Sequence, residues 1–177
     1  MMQEFSVITL WQFVAVAAAV VLLLIAALSD LLSRTIPDSV SIALAALGLA
    51  NRALLGFSAV ATSAALALLL FVLLAIVHAR GGLGGGDVKL VSAAAFGLSP
   101  ASLYQMLLCM SFAGGLLAVL HLSVRRLPRP ARCPPGASRL RRLWTIEKWR
   151  WRRPGCLPYG VAIATGGVWA LLSGTGT

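Results

Sequence analysis

Residues 5–29 read FSVITLWQFVAVAAAVVLLLIAALS, 25 positions without Asp, Glu, Lys or Arg. A bilayer core of about 30 Å is crossed by roughly 20 apolar helical residues, so this stretch predicts a membrane-spanning helix. Before it stands Glu4 and no Lys or Arg, the opposite of the basic start of a secretory signal, and a retained first helix is expected. After it come Asp30, Arg34 and Ile36-Pro37-Asp38, where Pro37 suits the first turn of a second helix. The uncharged run Ser39 to Asn51 would cover only about 20 Å. A second span therefore has to take in Pro37 to Gly56, with Arg52 snorkelling outward. Ala53 to Ala79 supplies a third, ending at His78-Ala79-Arg80 and Gly81-Gly82-Leu83-Gly84-Gly85-Gly86, a poor helix former. Between Leu90 and Val124 no charge occurs. Ser99-Pro100 divides this run into a short fourth helix, buried among neighbours or thinning the bilayer, and a longer fifth. Leu157 to Leu172 makes a sixth, with Gly160, Gly166 and Gly167 permitting close helix packing. The expected fold is an all-α integral membrane protein of about six transmembrane helices, residues 1–177 forming a single membrane-embedded domain.

Composition agrees. Hydrophobic residues make up 59% of the chain and charged ones 11%, with a mean hydropathy of +0.91, which excludes an ordinary soluble domain. The 15 Lys and Arg against 5 Asp and Glu, net +10, would suggest a polyanionic partner in a soluble chain. Here eleven basic residues crowd into 125–153, a loop between helices five and six with one short amphipathic helix expected around Leu140 to Trp151. With that loop in the cytoplasm, alternation puts Arg34, Arg80 and Lys89 on the same side and Arg52 alone outside, the bias expected of six spans with both termini external. Three cysteines, Cys109, Cys133 and Cys156, contain no CxxC pair and support neither a disulfide framework nor a structural zinc site.

The scarce acids carry the functional reading. Glu4 sits at the external end of helix one, and Glu147 within the basic loop reads as a local ion pair. Asp38 at a helix start reads first as a cap. Asp30 and Asp87 each end or open an apolar helix at the same membrane face. An Asp at membrane depth costs about 2.5–3.5 kcal/mol, usually tolerated for function or for a partner. Two carboxyls on different helices at one face can share a proton, one taking a proton from water while the other donates to a scissile carbonyl. Glycines at 84 and 86 would allow positive φ and leave room beside Asp87 for an extended substrate. Ion pairing with Arg34 and Lys89, or a transport role, would use the same acids.

Gly84-Gly85-Gly86-Asp87-Val88-Lys89-Leu90 resembles the GxGDxKL form of the GxGD motif of type IV prepilin peptidases, a family of membrane aspartic peptidases. Asp30 followed by Ile36-Pro37 is similar to that family's first catalytic aspartate and its Ile/Leu-Pro-Asn. Pro158-Tyr159-Gly160 resembles its Pro-Tyr-Gly segment. The resemblance implies an inner-membrane aspartic endopeptidase, without metal or organic cofactor, that removes the basic leader of prepilins at the cytoplasmic face, cutting after a glycine. Asp30 and Asp87 would be the catalytic pair, with Gly84 and Gly86 shaping the loop and Lys89 either orienting the site or snorkelling at the interface. Asp38 stands where the family commonly has Asn, preserving a polar helix start but adding a third carboxylate that could raise a neighbour's pKa. The extra domain and cysteine pairs of the bifunctional methylating relatives are not expected. The likeness is to the short peptidase-only branch associated with Flp-type (tight adherence) pili.

For 125–153 the expected partner is the anionic inner leaflet, each Lys or Arg contributing about 1 kcal/mol and Trp144, Trp149 and Trp151 suiting the interface. Pilus assembly proteins come second, and nucleic acid is not expected, since topology explains the charge. The alternative function is a non-catalytic membrane component of a pilus or secretion assembly.

Overall fold

A computed structural model describes residues 2–126 and 158–174, without the side chains of 2–9 and 124–126. The basic segment and its expected amphipathic helix lie outside the described residues. Among the described residues six helices follow in chain order: α1 (Met2–Ser33), α2 (Asp38–Ala53), α3 (Phe57–Ala79), α4 (Gly85–Ala95), α5 (Pro100–Arg126) and α6 (Tyr159–Gly174). No strand occurs among the described residues. The chain divides into two compact units, Met1–Ala113 with Pro158–Thr177, and Gly114–Leu157. In the second, the described residues are the last turns of α5. Within the first, α1 packs along α6, and α4 lies against α2 and α3.

Among the described residues three helices are long and apolar enough to cross a membrane: Leu10–Ser33, Phe57–Ala79 and Pro100–Ser123. Their outward faces carry large apolar side chains such as Leu24, Leu68 and Phe112, as lipid contact requires. The other three are shorter, with 16 residues in α2, 11 in α4 and 16 in α6, which at 1.5 Å per residue reach only about 24, 16 and 24 Å. For α4 the reason is position. Val88 and every residue from Leu90 to Ala95 are buried, so it packs among helices and need not match the bilayer's thickness.

Small residues let these helices approach closely. A Cβ on Gly48 of α2 would stand 2.6 Å from the Gly97 nitrogen, and one on Gly166 of α6 would stand 2.6 Å from the Met106 carbonyl oxygen, so backbone meets backbone at both crossings. Leu23, Leu90, Met106 and Ile163 fill the core. Buried Ser63 donates to the Leu98 carbonyl at 3.2 Å and accepts from Arg52 Nε at 2.7 Å. Arg52, expected to reach outward, therefore turns toward α3, where a buried hydroxyl offers it an acceptor.

The connections also correct three expectations. Pro37 is the N-cap of α2 rather than a first-turn residue, and no side chain caps this helix. Asp38, read from sequence as a capping acid, is in the first turn with its carboxylate engaged elsewhere. Among the described glycines positive φ occurs at Gly81 (77°) and Gly56 (105°), whereas Gly84 has φ −71° and Gly86 is helical. The left-handed step falls at Gly81 because α3 ends there in a Schellman turn: Gly81 N–H donates to the His78 carbonyl at 2.8 Å and Gly82 N–H to that of Val77 at 3.0 Å. The rest of the glycine run is then free to enter α4 directly.

Candidate active site

Asp30 lies in the last turn of α1 and is only 7% exposed. Its Oδ2 accepts the backbone N–H of Gly160 at 2.8 Å, in the first turn of α6, where helix N–H groups lack intrahelical acceptors. Pro158 is buried just ahead and Tyr159 half-buried.

Asp87 is the third residue of α4, one turn after Gly84 at the N-cap. A Cβ on Gly84 would come within 2.9 Å of Asp87 Oδ2, and one on Gly86 within 3.3 Å of Ile36 Cβ. These two glycines matter for space, not for positive φ. Gly84 leaves room for the Asp87 carboxyl, and Gly86 lets α4 settle on the segment joining α1 to α2. Gly85 differs, since its Cβ would meet His78 at an ordinary 3.5 Å. His78 in turn holds the loop through Nδ1 to the Leu83 carbonyl, 2.8 Å.

Asp87 precedes the apolar run of α4 and lies outside the three long spans. Burial first, and the nearby Asp30 carboxylate second, push its carboxyl up to about 6, against a backbone hydrogen bond at Gly84 that lowers it. Both effects penalise the charged form, and Asp30 is close enough for its charge to act on Asp87. Two carboxyls from α1 and α4 thus share one end of the first unit, one of them with an affinity for protons near neutrality.

Lys89 pairs with neither of them. Its Nζ donates to both carboxylate oxygens of Asp38 at 2.9 Å, with both side chains more than half exposed. The alternative of a Lys89–Asp87 pair is not what forms. Behind Asp38 and Lys89 lies a cleft of about 300 Å³ walled by Ile42, Phe71 and Phe96, with Ser41 and Ser92 at i+3 from the two charges. Sequence reading did not single out these serines, although that spacing places each beside its charged neighbour on one helix face. Ser92 donates to the Val88 carbonyl at 2.8 Å, while Ser41 Oγ is buried without a partner. Asp30, Asp38, Asp87, Lys89, Gly84, Gly86 and Gly160 enter these contacts, with Pro37 next to Asp38 and Pro158-Tyr159 next to Gly160 in the chain. Among the described residues, no group of three or more His, Cys, Asp or Glu is arranged to hold a metal ion.

No curated protein and no solved structure matches the chain. The sequence profile of the type IV leader peptidase family matches residues 8–119, which include Asp30, Asp38 and the glycine-rich loop through Lys89 but not Pro158-Tyr159-Gly160. That match spans more than half of the 177 residues, and the chain belongs to the type IV leader peptidase family.

Proposed function

We propose that the protein is a membrane aspartic endopeptidase that cuts the N-terminal leader from type IV, Flp-like prepilins at the cytoplasmic face of the bacterial inner membrane, with Asp30 and Asp87 as its catalytic pair. The observation that carries this reading is that Asp30 of α1 and Asp87 of α4 lie close enough for the charge of one to act on the other, in a chain of the leader peptidase family. The pair holds one proton between its two carboxyls. The ionised member takes a proton from water as the water oxygen attacks the scissile carbonyl carbon. The protonated member gives its proton to the carbonyl oxygen, forming a neutral tetrahedral diol. Collapse of the diol breaks the C–N bond, with a proton passed to the leaving amine, and frees the leader's carboxyl end and the mature pilin's N-terminus.

The crowding of basic residues at 34, 80, 89 and 125–153 supports a cytoplasmic site with both termini outside. It also supports an anionic inner-leaflet contact for 125–153, which would hold this end near the surface where a basic leader arrives. Pilus assembly proteins are further partners on this reading, and methyl transfer forms no part of it.

The test is to co-express the chain with a Flp-type prepilin and follow leader removal by mass. Wild type removes the leader, and Asp30→Asn and Asp87→Asn each abolish removal while the protein stays in the membrane. Normal processing by either variant refutes the pair. An uncut prepilin in a strain whose pili still require the chain favours a non-catalytic assembly component instead.

A further inference from the structure

We propose that the backbone N–H of Gly160 is a positioning group for Asp30, and that residue 160 has to be glycine because a side chain there would occupy the space of the Asp30 carboxyl. The inference rests on the endopeptidase reading of Asp30. An aspartate's terminal torsion is broad and settles only where a partner fixes it. Here one oxygen, Oδ2, is held at 2.8 Å by an N–H contributed from 130 residues away in sequence. The donor belongs to the first turn of a helix, so its direction is set by α6 as a rigid body rather than by a mobile side chain.

Space points the same way. A Cβ on Gly160 would fall 2.8 Å from Asp30 Cβ, 2.9 Å from Oδ2 and 3.1 Å from Cγ. It would meet the whole side chain from its root, so no rotation of the tip relieves it. Gly160 is also distinct from the packing glycines of the same helix. Gly166 fits against the Met106 backbone and Gly167 against Leu23 Cδ1 at 2.8 Å, so the docking of α6 is already provided for two turns away. The three atoms nearest the missing Cβ of Gly160 all belong to Asp30.

The experiment compares Gly160→Ala with Gly167→Ala in the full-length protein, reconstituted in liposomes with a Flp-type prepilin, reading kcat, KM and the heat-unfolding midpoint. Gly160→Ala is expected to lower kcat about a hundredfold with KM within about threefold, as displacement of a reacting group does. Gly167→Ala, which crowds α1 without touching Asp30, is expected to hold kcat within about threefold even where its midpoint falls further. A Gly160→Ala enzyme with unchanged kcat overturns the proposal, as does a loss that tracks the midpoint equally in both variants. An independent measurement uses glycine-labelled protein and amide exchange. The Gly160 N–H is expected to exchange at least about tenfold faster in Asp30→Ala than in wild type, its acceptor gone, and equal rates overturn the proposal even if Gly160→Ala does not accumulate. A wild-type chain that cuts no prepilin refutes the endopeptidase reading. A competent wild type with an unaffected Gly160→Ala refutes only the positioning role.

Discussion

Gly48→Ala tests how the helices that carry the site are held together. At this crossing of α2 with the end of α4, the new methyl would stand 2.6 Å from Gly97 N, 2.7 Å from Gly97 Cα and 3.1 Å from the Phe96 carbonyl carbon. Non-bonded carbons rest at about 3.5–4.0 Å, so the backbones must part by about 1 Å, and no side chain can rotate away to spare them. Overpacking of this kind costs about 1–3 kcal/mol, and a backbone-on-backbone contact belongs at the upper end. The gain in helix propensity from Gly to Ala returns about 1 kcal/mol, leaving a net loss of about 2 kcal/mol. The assay is the heat-unfolding midpoint of the detergent-solubilised full chain, with prepilin processing measured alongside. Two comparisons make the result specific. Gly97→Ala meets Gly48 Cα at 3.1 Å and should lose less, while Gly115→Ala meets nothing within 4 Å among the described residues and should match or exceed wild type. Processing should fall with Gly48→Ala, because α2 carries Asp38 and α4 carries Asp87 and Lys89, and a shift of about 1 Å at a reacting group can cost a hundredfold. A Gly48→Ala protein as heat-resistant as wild type would show that the two backbones do not meet at this crossing.

Two further predictions follow from the first turn of α4. Among its glycines, Gly85→Ala should be tolerated, meeting only His78 at ordinary distance, while Gly84→Ala should abolish processing by displacing Asp87 Oδ2 and Gly86→Ala should impair it through Ile36; equal activity in all three by the mass-shift assay would contradict this. Asp87, raised from 3.8 to about 6, binds its proton more tightly folded than unfolded, so stability should decline as pH rises from about 4 to about 6 and level off above. Heat-unfolding midpoints at pH 5 and 7.5 should therefore differ in wild type, and the difference should shrink in Asp87→Asn.

Much of the fold is legible because membrane helices write themselves as uninterrupted apolar runs. The turn at Ser99-Pro100 and the break after Ala79 fall where sequence places them, and α4 is short and buried as its length demands. The site is legible only in part. Asp30 and Asp87 stand out because acids are rare in such a chain, yet what each carboxyl touches depends on residues far away. Gly160 and Asp30 meet across 130 positions and Lys89 and Asp38 across 51, and no local pattern encodes either pairing. The positive-φ expectation at Gly84 and Gly86 missed for a related reason. Sequence marks a run of glycines but not which of them ends the preceding helix, and here Gly81 does so, leaving the others to serve proximity.

Lys89 and Asp38 show how a third carboxylate can stand near Asp30 and Asp87. Positions two apart on a helix point about 200° away from one another, so Lys89 leaves the side of α4 that carries Asp87 and faces the start of α2 instead. There it meets Asp38 with both carboxylate oxygens. An asparagine at 38 would leave that lysine without a counter-charge, whereas aspartate neutralises it within an exposed pair whose own contribution to stability is small, about 0–1 kcal/mol. The groups that act on Asp87 are burial, Asp30 and the Gly84 backbone, with Asp38 not among them. Asp38 and Lys89 therefore compensate each other in an exposed pair, apart from the influences that move Asp87.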